Sequence, residues 1–574
     1  MMPSGAFANV LDGIDSVLLR NGLDGRARVV VPQTPAAADI VVVGGADLWQ
    51  RGEDGRAPID EIADRPEIAK VEIRRKQRKA ELWLQPWWIE ALGTALERGD
   101  REALHLGDLA ADRRFLVDFC DPNATKAFHV GHLRNLAIGH SLASLARAAG
   151  ADVTSQSMVG DIGRSMGETL AGYLADREGE SPATRDIKSD HFVGSCYAGY
   201  VESMEPVEGL ATDPALSRED DDHDDLAEEL LGRWRAADPA TVDLWLKLRT
   251  WALDGHAQTL ERLGIRFDRI LLESDFAAEI RNLVERTVAA GVAERAPNGA
   301  IGYRTGHDAY PYLLLQRSDG QSTQHLRYLA LWHAIVPLLA DAHSFQVMGS
   351  EWLPLAMHTE EILKRLDPDE RIHPATCVVH GMVTASGGVV KSSVGGGWLI
   401  DELLDELAGD EGVASLCSRH GCVDADRVAA MVALGYCLSH PASQPMTIER
   451  GQLLDAKSNP GWVLAQAWVE AWDPAHDGRP DPRPEDPEYR FLTVQAQLHR
   501  RFVARALERL DVLPLVQFHT HLSQRFLESD RTPSRARAMR SVLGHGLSAL
   551  GLEDGLAGKG LDDGNRAAVM PRAA

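Results

Sequence analysis

Hydrophobic and polar positions alternate in short stretches over residues 1–110, most clearly at Val71/Ile73 and Leu82/Leu84. A period of two marks a half-buried strand, so these stretches predict a hairpin with Arg74-Arg75-Lys76-Gln77-Arg78-Lys79 at its tip. The apolar spacing then lengthens, and Trp87 to Leu96 predicts a helix. Residues 1–110 are expected to form an α+β module of their own. Residues 114–119, Arg-Phe-Leu-Val-Asp-Phe, predict a buried strand. A loop follows from Cys120 to His129, then a helix from about Gly131 to Ala149 that Gly150 stops. Strand, loop and helix in that order open a doubly wound α/β domain. That domain is expected over residues 111–423, with a helical insertion at about 178–265. From Asp424 nearly everything reads as helix, which predicts an all-helical domain over 424–574. A proline-rich stretch breaks it at 473–488, and 551–574 reads as a frayed tail. No internal repeat is visible.

Composition narrows the functional classes. A chain of 574 residues has room for three to four domains at about 150 residues each. A net charge of −25 argues against non-specific coating of nucleic acid, although local basic patches can still meet RNA. Two such patches are candidates. One is the hairpin tip, with Arg74, Arg75, Lys76, Arg78 and Lys79 ahead of Trp83, Trp87 and Trp88. The other is Arg531, Arg535, Arg537 and Arg540, recurring at helical spacing. Solvated charged faces are the alternative for both. No window reaches 18 apolar residues, so no membrane helix is expected. The first residues, with Asp12, Asp15 and Arg20 among apolar positions, do not read as a signal peptide. Six cysteines in this length form no disulfide framework, and the expected compartment is the reducing cytoplasm. The run Glu219 to Asp225 reads as a solvated acidic face. Cys417-Ser-Arg-His420-Gly-Cys422 lacks a second ligand pair at zinc-site spacing, so no metal site is expected.

The stretch Asp118-Phe-Cys-Asp-Pro-Asn123-Ala-Thr-Lys126-Ala-Phe-His129-Val-Gly131-His132 carries the candidate chemistry. It leaves the carboxyl end of a strand and enters a helix, the place where α/β sheets bind ligands. A helix N-terminus offers N–H groups and partial positive charge to a phosphate. Gly131 leaves room for close approach. His129 and His132 can donate to phosphate oxygens, and Lys126 adds a point charge. Taken alone, two packed histidines at a helix start explain the pattern equally well.

The flanks resolve it. This stretch resembles the first signature of class I aminoacyl-tRNA synthetases and is most similar to arginyl-tRNA synthetases, with Asp121-Pro122-Asn123 where that family has Ser-Pro-Asn. The resemblance continues in order through Gly160-Asp161-Ile-Gly163-Arg164, Lys188 to Gly194, Leu263 to Asp268, Glu273-Ser274, Asp401 to Glu406, Lys457 to Gln466 and Leu543 to Gly551. It implies a Rossmann-like catalytic domain, a tRNA-contacting N-terminal module and a helical anticodon-binding-like domain. It implies ATP with Mg2+, an amino acid and tRNA as partners, and a monomer. His129, Gly131, His132, Gly349, Met382, Val383, Lys391 and Ser392 would surround the nucleotide, with Lys126, His129, His132 and Lys391 catalytic. Asp118, Asn123, Gln324, Tyr328 and Trp352 would meet the amino acid. Arg74, Arg75, Lys76, Arg78, Lys79, Arg535 and Arg537 would lie near RNA.

The chain also departs from that pattern. Where the family carries a Lys-Met-Ser-Lys-Ser-like loop, residues 389–397 hold one lysine, Lys391, among three glycines. Lys126 stands where some arginyl enzymes carry a compensating lysine. The family's tyrosine and aspartate that cup a guanidinium fall at Gln324 and Tyr328, and a glutamine falls at Trp352. A guanidinium needs a carboxylate opposite it to offset desolvation. The expectation is therefore a diverged paralogue that activates or transfers an aminoacyl group other than free arginine, to tRNA or to a small-molecule amine. A genuine arginine–tRNA ligase and a catalytically dead tRNA-binding protein are the alternatives.

Overall fold

The computed structural model describes residues 10–35, 38–51, 55–99, 109–203, 226–306, 311–335, 342–367, 375–385, 388–389, 398–420, 424–455, 457–473, 476 and 486–552. The acidic run 219–225, Cys422 and most of the expected tail lie outside the described residues.

The amino-terminal part pairs helix α1 (Val10–Arg20) with four strands, β1 (Arg28–Val30), β2 (Ile40–Val43), β3 (Ile68–Arg74) and β4 (Lys79–Leu84), in the antiparallel order β1-β2-β4-β3. The expected hairpin is β3 and β4. Arg74 pairs with Lys79, and Arg75–Gln77 forms a single 3-10 turn. Arg78 takes a left-handed φ of 53° to reverse the chain. Ala80, Leu82 and Leu84 point inward at period two. β3 is the sheet edge, and Ile73 is exposed there. Helix α2 (Pro86–Glu97) starts with proline at its first turn and buries Trp88, Ile89, Leu92 and Leu96.

The centre is a parallel sheet. Strand β5 (Arg114–Asp118) leads through the candidate loop into helix α3 (Val130–Ala148), then β6 (Asp152–Val159), and after a helical stretch β7 (Arg269–Leu272). Three short strands, β8 (Ala293–Arg295), β9 (Ile301–Arg304) and β10 (Tyr312–Gln316), form a separate antiparallel sheet. β11 (Ala342–Gly349) and β12 (Thr376–His380) complete the parallel one in the order β12-β11-β5-β6-β7. β5 is buried on both faces. Phe115 and Val117 join the core cluster that contains α3, and Leu116 joins the cluster on the other side. Such strands read as unbroken apolar runs. Connections leave β5 toward β6 and β7, then return to β11 on its other side. The crevice at the carboxyl ends of β5 and β11 is the switch point of the sheet.

The expected insertion is helical. Arg164–Asp176, Ser189–Ser203, Leu226–Arg235 and Pro239–Leu263 pack around their own core, which includes Leu170, Phe192, Leu230 and Leu248. Beyond Asp424 the described chain is helical apart from β15 (Met446–Ile448). That strand pairs in parallel with β13 (Val383–Ala385), which also pairs with β14 (Gly388–Val389). Three residues are too few to show a period, so the sequence reads through β15. The proline-rich break falls between helices Pro460–Ala471 and Pro487–Ala496; residues 474–475 and 477–485 of it lie outside the described residues.

The amino-terminal module docks on the helical part through ion pairs, with the carboxylates of Asp39 and Glu97 buried and those of Asp12 and Asp15 half-exposed. Asp39 accepts from Arg490 and from the Leu84 N–H, and Arg490 also donates to the Leu84 carbonyl. Glu97 accepts from Tyr489 (2.7 Å) and Arg537 (3.0 Å), and Arg501 reaches Asp12 and Asp15. Arg535 is buried and forked onto Asp486. This corrects the RNA expectation at Arg535 and Arg537. Arg535 is buried and Arg537 half-buried in the packed helix, and their guanidiniums bind carboxylates of the fold.

Asp486→Ala leaves the Arg535 guanidinium buried without its carboxylate. Removing one partner of a buried pair costs about 3–5 kcal/mol, so this variant is expected to lower the denaturant midpoint strongly. Arg233→Ala, at an exposed pair with Glu229, is expected to shift stability by less than about 1 kcal/mol. Urea denaturation followed by circular dichroism checks both.

Candidate active site

The loop after β5 is set by a backbone kink. Cys120 adopts a left-handed φ of 57°, a conformation that costs about 1–3 kcal/mol for a side chain with Cβ and persists only where neighbours enforce it. Here the Asn135 side chain accepts the Cys120 N–H at 2.8 Å, and Ser157 donates to its carbonyl. Asn135 itself donates to the Val347 carbonyl on β11 at 2.9 Å. The kink turns Asp121, Pro122 and Asn123 across the carboxyl ends of the strands. Asn123 pairs with Gly160, where any Cβ would collide with the Asn123 side-chain oxygen.

His129 caps α3. Its Nδ1 accepts from the Gly131 N–H at 3.1 Å, and its own N–H donates to His132 Nδ1 at 3.2 Å. Both Nδ1 atoms act as acceptors, so each ring carries its proton on Nε2. The ring centres are 4.0 Å apart. Burial lowers the His129 pKa to about 4, with the Lys126 charge adding to it. Burial, then His129, His256 and Lys126, push His132 well below its ordinary value. The pair is therefore neutral at neutral pH and presents N–H donors rather than cations. His129 Nε2 is buried without a partner in the protein, which fits a donor awaiting an acceptor from a ligand. The helix end differs from expectation. The Val130 N–H donates to the Trp398 carbonyl, Gly131 to the His129 ring and His132 to the His129 carbonyl. Those N–H groups are taken, because the chain at 398–400 lies antiparallel to 128–130, with His129 opposite Leu399. Gly131 is required by the cap, since a Cβ there would meet the His129 ring at 2.7 Å.

Lys126 lies over the Tyr197 ring, 4.6 Å from its centre. A third histidine fixes its backbone. His256, on helix Pro239–Leu263, lies within 2.7 Å of the Lys126 carbonyl through Nε2 and stacks near Phe128 at 4.4 Å. The segment after the second signature is anchored close by. Burial raises the Asp401 pKa, but His191, Lys188 and Thr259 pull it well below the carboxylate range. Asp190, His191 and Asp401 have the spacing of a metal site, yet Lys188 Nζ stands among them at 2.8 Å from Asp401 and 3.0 Å from Asp190. Arg134, fully buried on α3, donates to the carbonyls of Gly381, Pro441 and Gln444.

A polar row crosses the sheet beside this loop. Gln346, Asp118, Gln156 and Arg269 are register partners on β11, β5, β6 and β7. The amides of Gln156 and Gln346 donate to the two oxygens of Asp118 at 3.0 and 3.1 Å. Arg269 donates to the Gln156 carbonyl at 2.6 Å, and the Tyr328 hydroxyl to that of Gln346. Asp118 is fully buried. Burial and the neighbouring Asp121 charge drive its pKa well up, against the pull of both amides. The expectation that Asp118 touches the amino acid is corrected: its carboxyl group is fully buried and each oxygen already holds a protein amide. Asp121 keeps contact with solvent, but desolvation by the protein around it raises its pKa to about 6, against the Met158 N–H and the Gln346 amide. Beside it, Glu273 is raised to about 7 by burial while holding Arg327 at 2.8 Å.

The structure thus brings Lys126, His129, Gly131, His132 and Asn123 together on one loop and helix start. Tyr328 meets Gln346 on the same switch point. Gln324 opens helix Gln324–Ile335 and is exposed, and Trp352, 43% exposed, follows Gly349 at the end of β11. Met382 is exposed and Val383 buried where β13 begins. Lys391 and Ser392 lie outside the described residues. At the hairpin tip Arg74 and Lys79 pair with Glu81, while Arg75, Lys76 and Arg78 are exposed. Sequence reasoning missed Gln156, Gln346, Asp121 and His256. A glutamine inside a buried strand was the available signal for the first two, since a buried amide requires partners. His256 gives no local sign, being one polar residue on a long helix.

Residues 101–204 match the family described as tRNA synthetases class I (R), catalytic domain. The chain is 30% identical over 364 residues to the arginine–tRNA ligase of Treponema pallidum, covering 61% of this chain and 59% of that one. It is 28% identical over 356 residues to that of Amoebophilus asiaticus, covering 58% of each. The chain therefore aligns with about three fifths of the length of these curated relatives. Among solved structures, the arginyl-tRNA synthetase of Thermus thermophilus superposes with a TM-score of 0.62 at 18% identity, over 96% of this chain and 99% of that one. That of Plasmodium falciparum gives 0.62 at 14%, over 95% and 97%. At these identities the superpositions speak for the fold.

Asp121 is expected to hold stability in reserve. Its folded pKa of about 6 lies above the unfolded value of about 3.9. The folded form therefore binds the extra proton between those values, and stability falls as pH rises through 6. Asp121→Asn removes that load. Its thermal midpoint should exceed the wild-type midpoint at pH 7.5, with the difference vanishing toward pH 4. Differential scanning calorimetry across that range measures it.

Proposed function

We propose that the chain, which carries a class I tRNA synthetase catalytic domain, uses ATP to activate an amino acid and passes the aminoacyl group to an acceptor. The observation that carries this reading is the pair His129 and His132, neutral and held through Nδ1 with the proton on Nε2 at the switch point of the sheet. In the reaction the amino-acid carboxylate attacks the α-phosphorus of ATP, an aminoacyl adenylate forms and pyrophosphate leaves. The two Nε2–H groups would donate to phosphate oxygens as charge moves onto the leaving group, and Lys126 would add its ammonium. Neutral donors serve here without repelling that ammonium. Mg2+ would arrive with the nucleotide phosphates. Gly349, Met382 and Val383 border the nucleotide side, and Asn123 with Asp121 would hold the amino-acid ammonium. Hydroxyl attack by tRNA, or amine attack by a small molecule, would then release AMP. The exposed Arg75, Lys76 and Arg78 offer phosphate contacts for an RNA acceptor. Among the described residues no helix is long and apolar enough to cross a membrane.

Free arginine is a poor fit in this reading, because Gln324, Tyr328 and Trp352 bring no carboxylate. A second reading, an arginine–tRNA ligase, is favoured by the similarity to the arginine–tRNA ligases of Treponema pallidum and Amoebophilus asiaticus. The intact pair of His129 and His132 at the helix start speaks against a dead centre.

His129→Ala combined with His132→Ala is expected to lower ATP–pyrophosphate exchange by about 100-fold or more with folding intact by circular dichroism; unchanged exchange would remove the pair from the chemistry. In an exchange panel over all amino acids, a substrate other than arginine is expected to give the highest rate. Arginine as sole substrate would establish the second reading instead.

A further inference from the structure

We propose that Gln346 determines specificity: its side-chain amide occupies, on Asp118, the place of a cationic substrate group, so the site takes an amino acid with an uncharged side chain. This rests on the amino-acid-activating reading above. Asp118 ends β5 at the switch point, where a ligand side chain meets the sheet. A carboxylate there is suited to an ammonium or guanidinium. Instead both its oxygens accept amide N–H groups, from Gln156 on one side and Gln346 on the other. The direction of the Gln346 amide is fixed twice. Its carbonyl takes the Tyr328 proton, and its nitrogen faces Asp118. Turning the amide over would set its carbonyl against a carboxylate. A cationic side chain could reach Asp118 only by displacing this amide and stranding it, buried, beside Tyr328. Gln156 cannot yield in its place, because Arg269 holds its carbonyl from the next strand. Asp121 remains, but it sits next to Asn123 on the loop, where the substrate backbone ammonium belongs. Beside the row stand the Tyr328 and Trp332 rings, 6.2 Å apart.

Calorimetric titration of the full chain with each amino acid in the absence of ATP tests this. Wild type is expected to bind one or more uncharged amino acids at least tenfold more tightly than lysine or arginine. Gln346→Ala frees Asp118, and is expected to raise lysine or arginine affinity at least tenfold relative to the best uncharged ligand. Tyr328→Phe removes only the hydroxyl that anchors the amide, and is expected to shift the same ratio in the same direction by a smaller factor. It keeps the test decisive should Gln346→Ala fail to fold. Equal or tighter binding of lysine or arginine by wild type, binding of no amino acid, or an unchanged ratio in a folded variant overturns the proposal. ATP–pyrophosphate exchange on the same samples separates the two ideas. Binding with the expected ratio but no exchange sinks the activation reading and leaves the specificity assignment standing.

Discussion

A carboxylate that water does not reach must be satisfied by protein, and Asp118 makes that demand at the centre of the parallel sheet. Its two oxygens draw one amide from each neighbouring strand, and Arg269 extends the row to a fourth. A slip of β11 or β6 by one residue would send its amide to the opposite face and leave a buried carboxyl oxygen unsatisfied. The row therefore holds β11, β5, β6 and β7 in one register. In doing so it places Asp121, Asn123 and the histidine pair at a defined height above the sheet. The same interaction that fixes the sheet shapes what the sheet can bind.

Electrostatics around the site follow from burial more than from charge count. The three histidines near Lys126 are held neutral by desolvation, so one ammonium stands among donors that do not oppose it. On the acidic side, Asp121 and Glu273 are pushed toward the pH range in which proteins work, Glu273 while paired with Arg327. Perturbed groups crowded at a sheet switch point are the usual mark of a working site. The net charge of −25 says little about any of this, because the groups that matter are enclosed.

Much of the fold was legible because periodicity survives in long elements. Strand β5 and helix α3 fall within a residue of their expected ends, and the hairpin turns at its expected tip. β15 was not legible, since its three residues pair only with a distant strand. The loop chemistry was legible from Lys126, His129 and His132, which are local in sequence. The Asp118 row was not, because its members come from four strands as far apart as residues 118 and 346. Arg535 and Arg537 misled for a related reason. A helical period of arginines looks the same whether its face meets water or carboxylates, and only the packed partners Asp486 and Glu97 decide.

Arg134 has a consequence for the molecule as a mechanical body. Its guanidinium, on the helix that His129 caps, is shared among three carbonyls of the turns at 381 and 441–444. Moving the helical part away from the sheet would break the bonds of that cation to Pro441 and Gln444. The cation therefore couples the two parts. Cutting the sheet-bearing half free would strip this arginine of two of its three carbonyl partners.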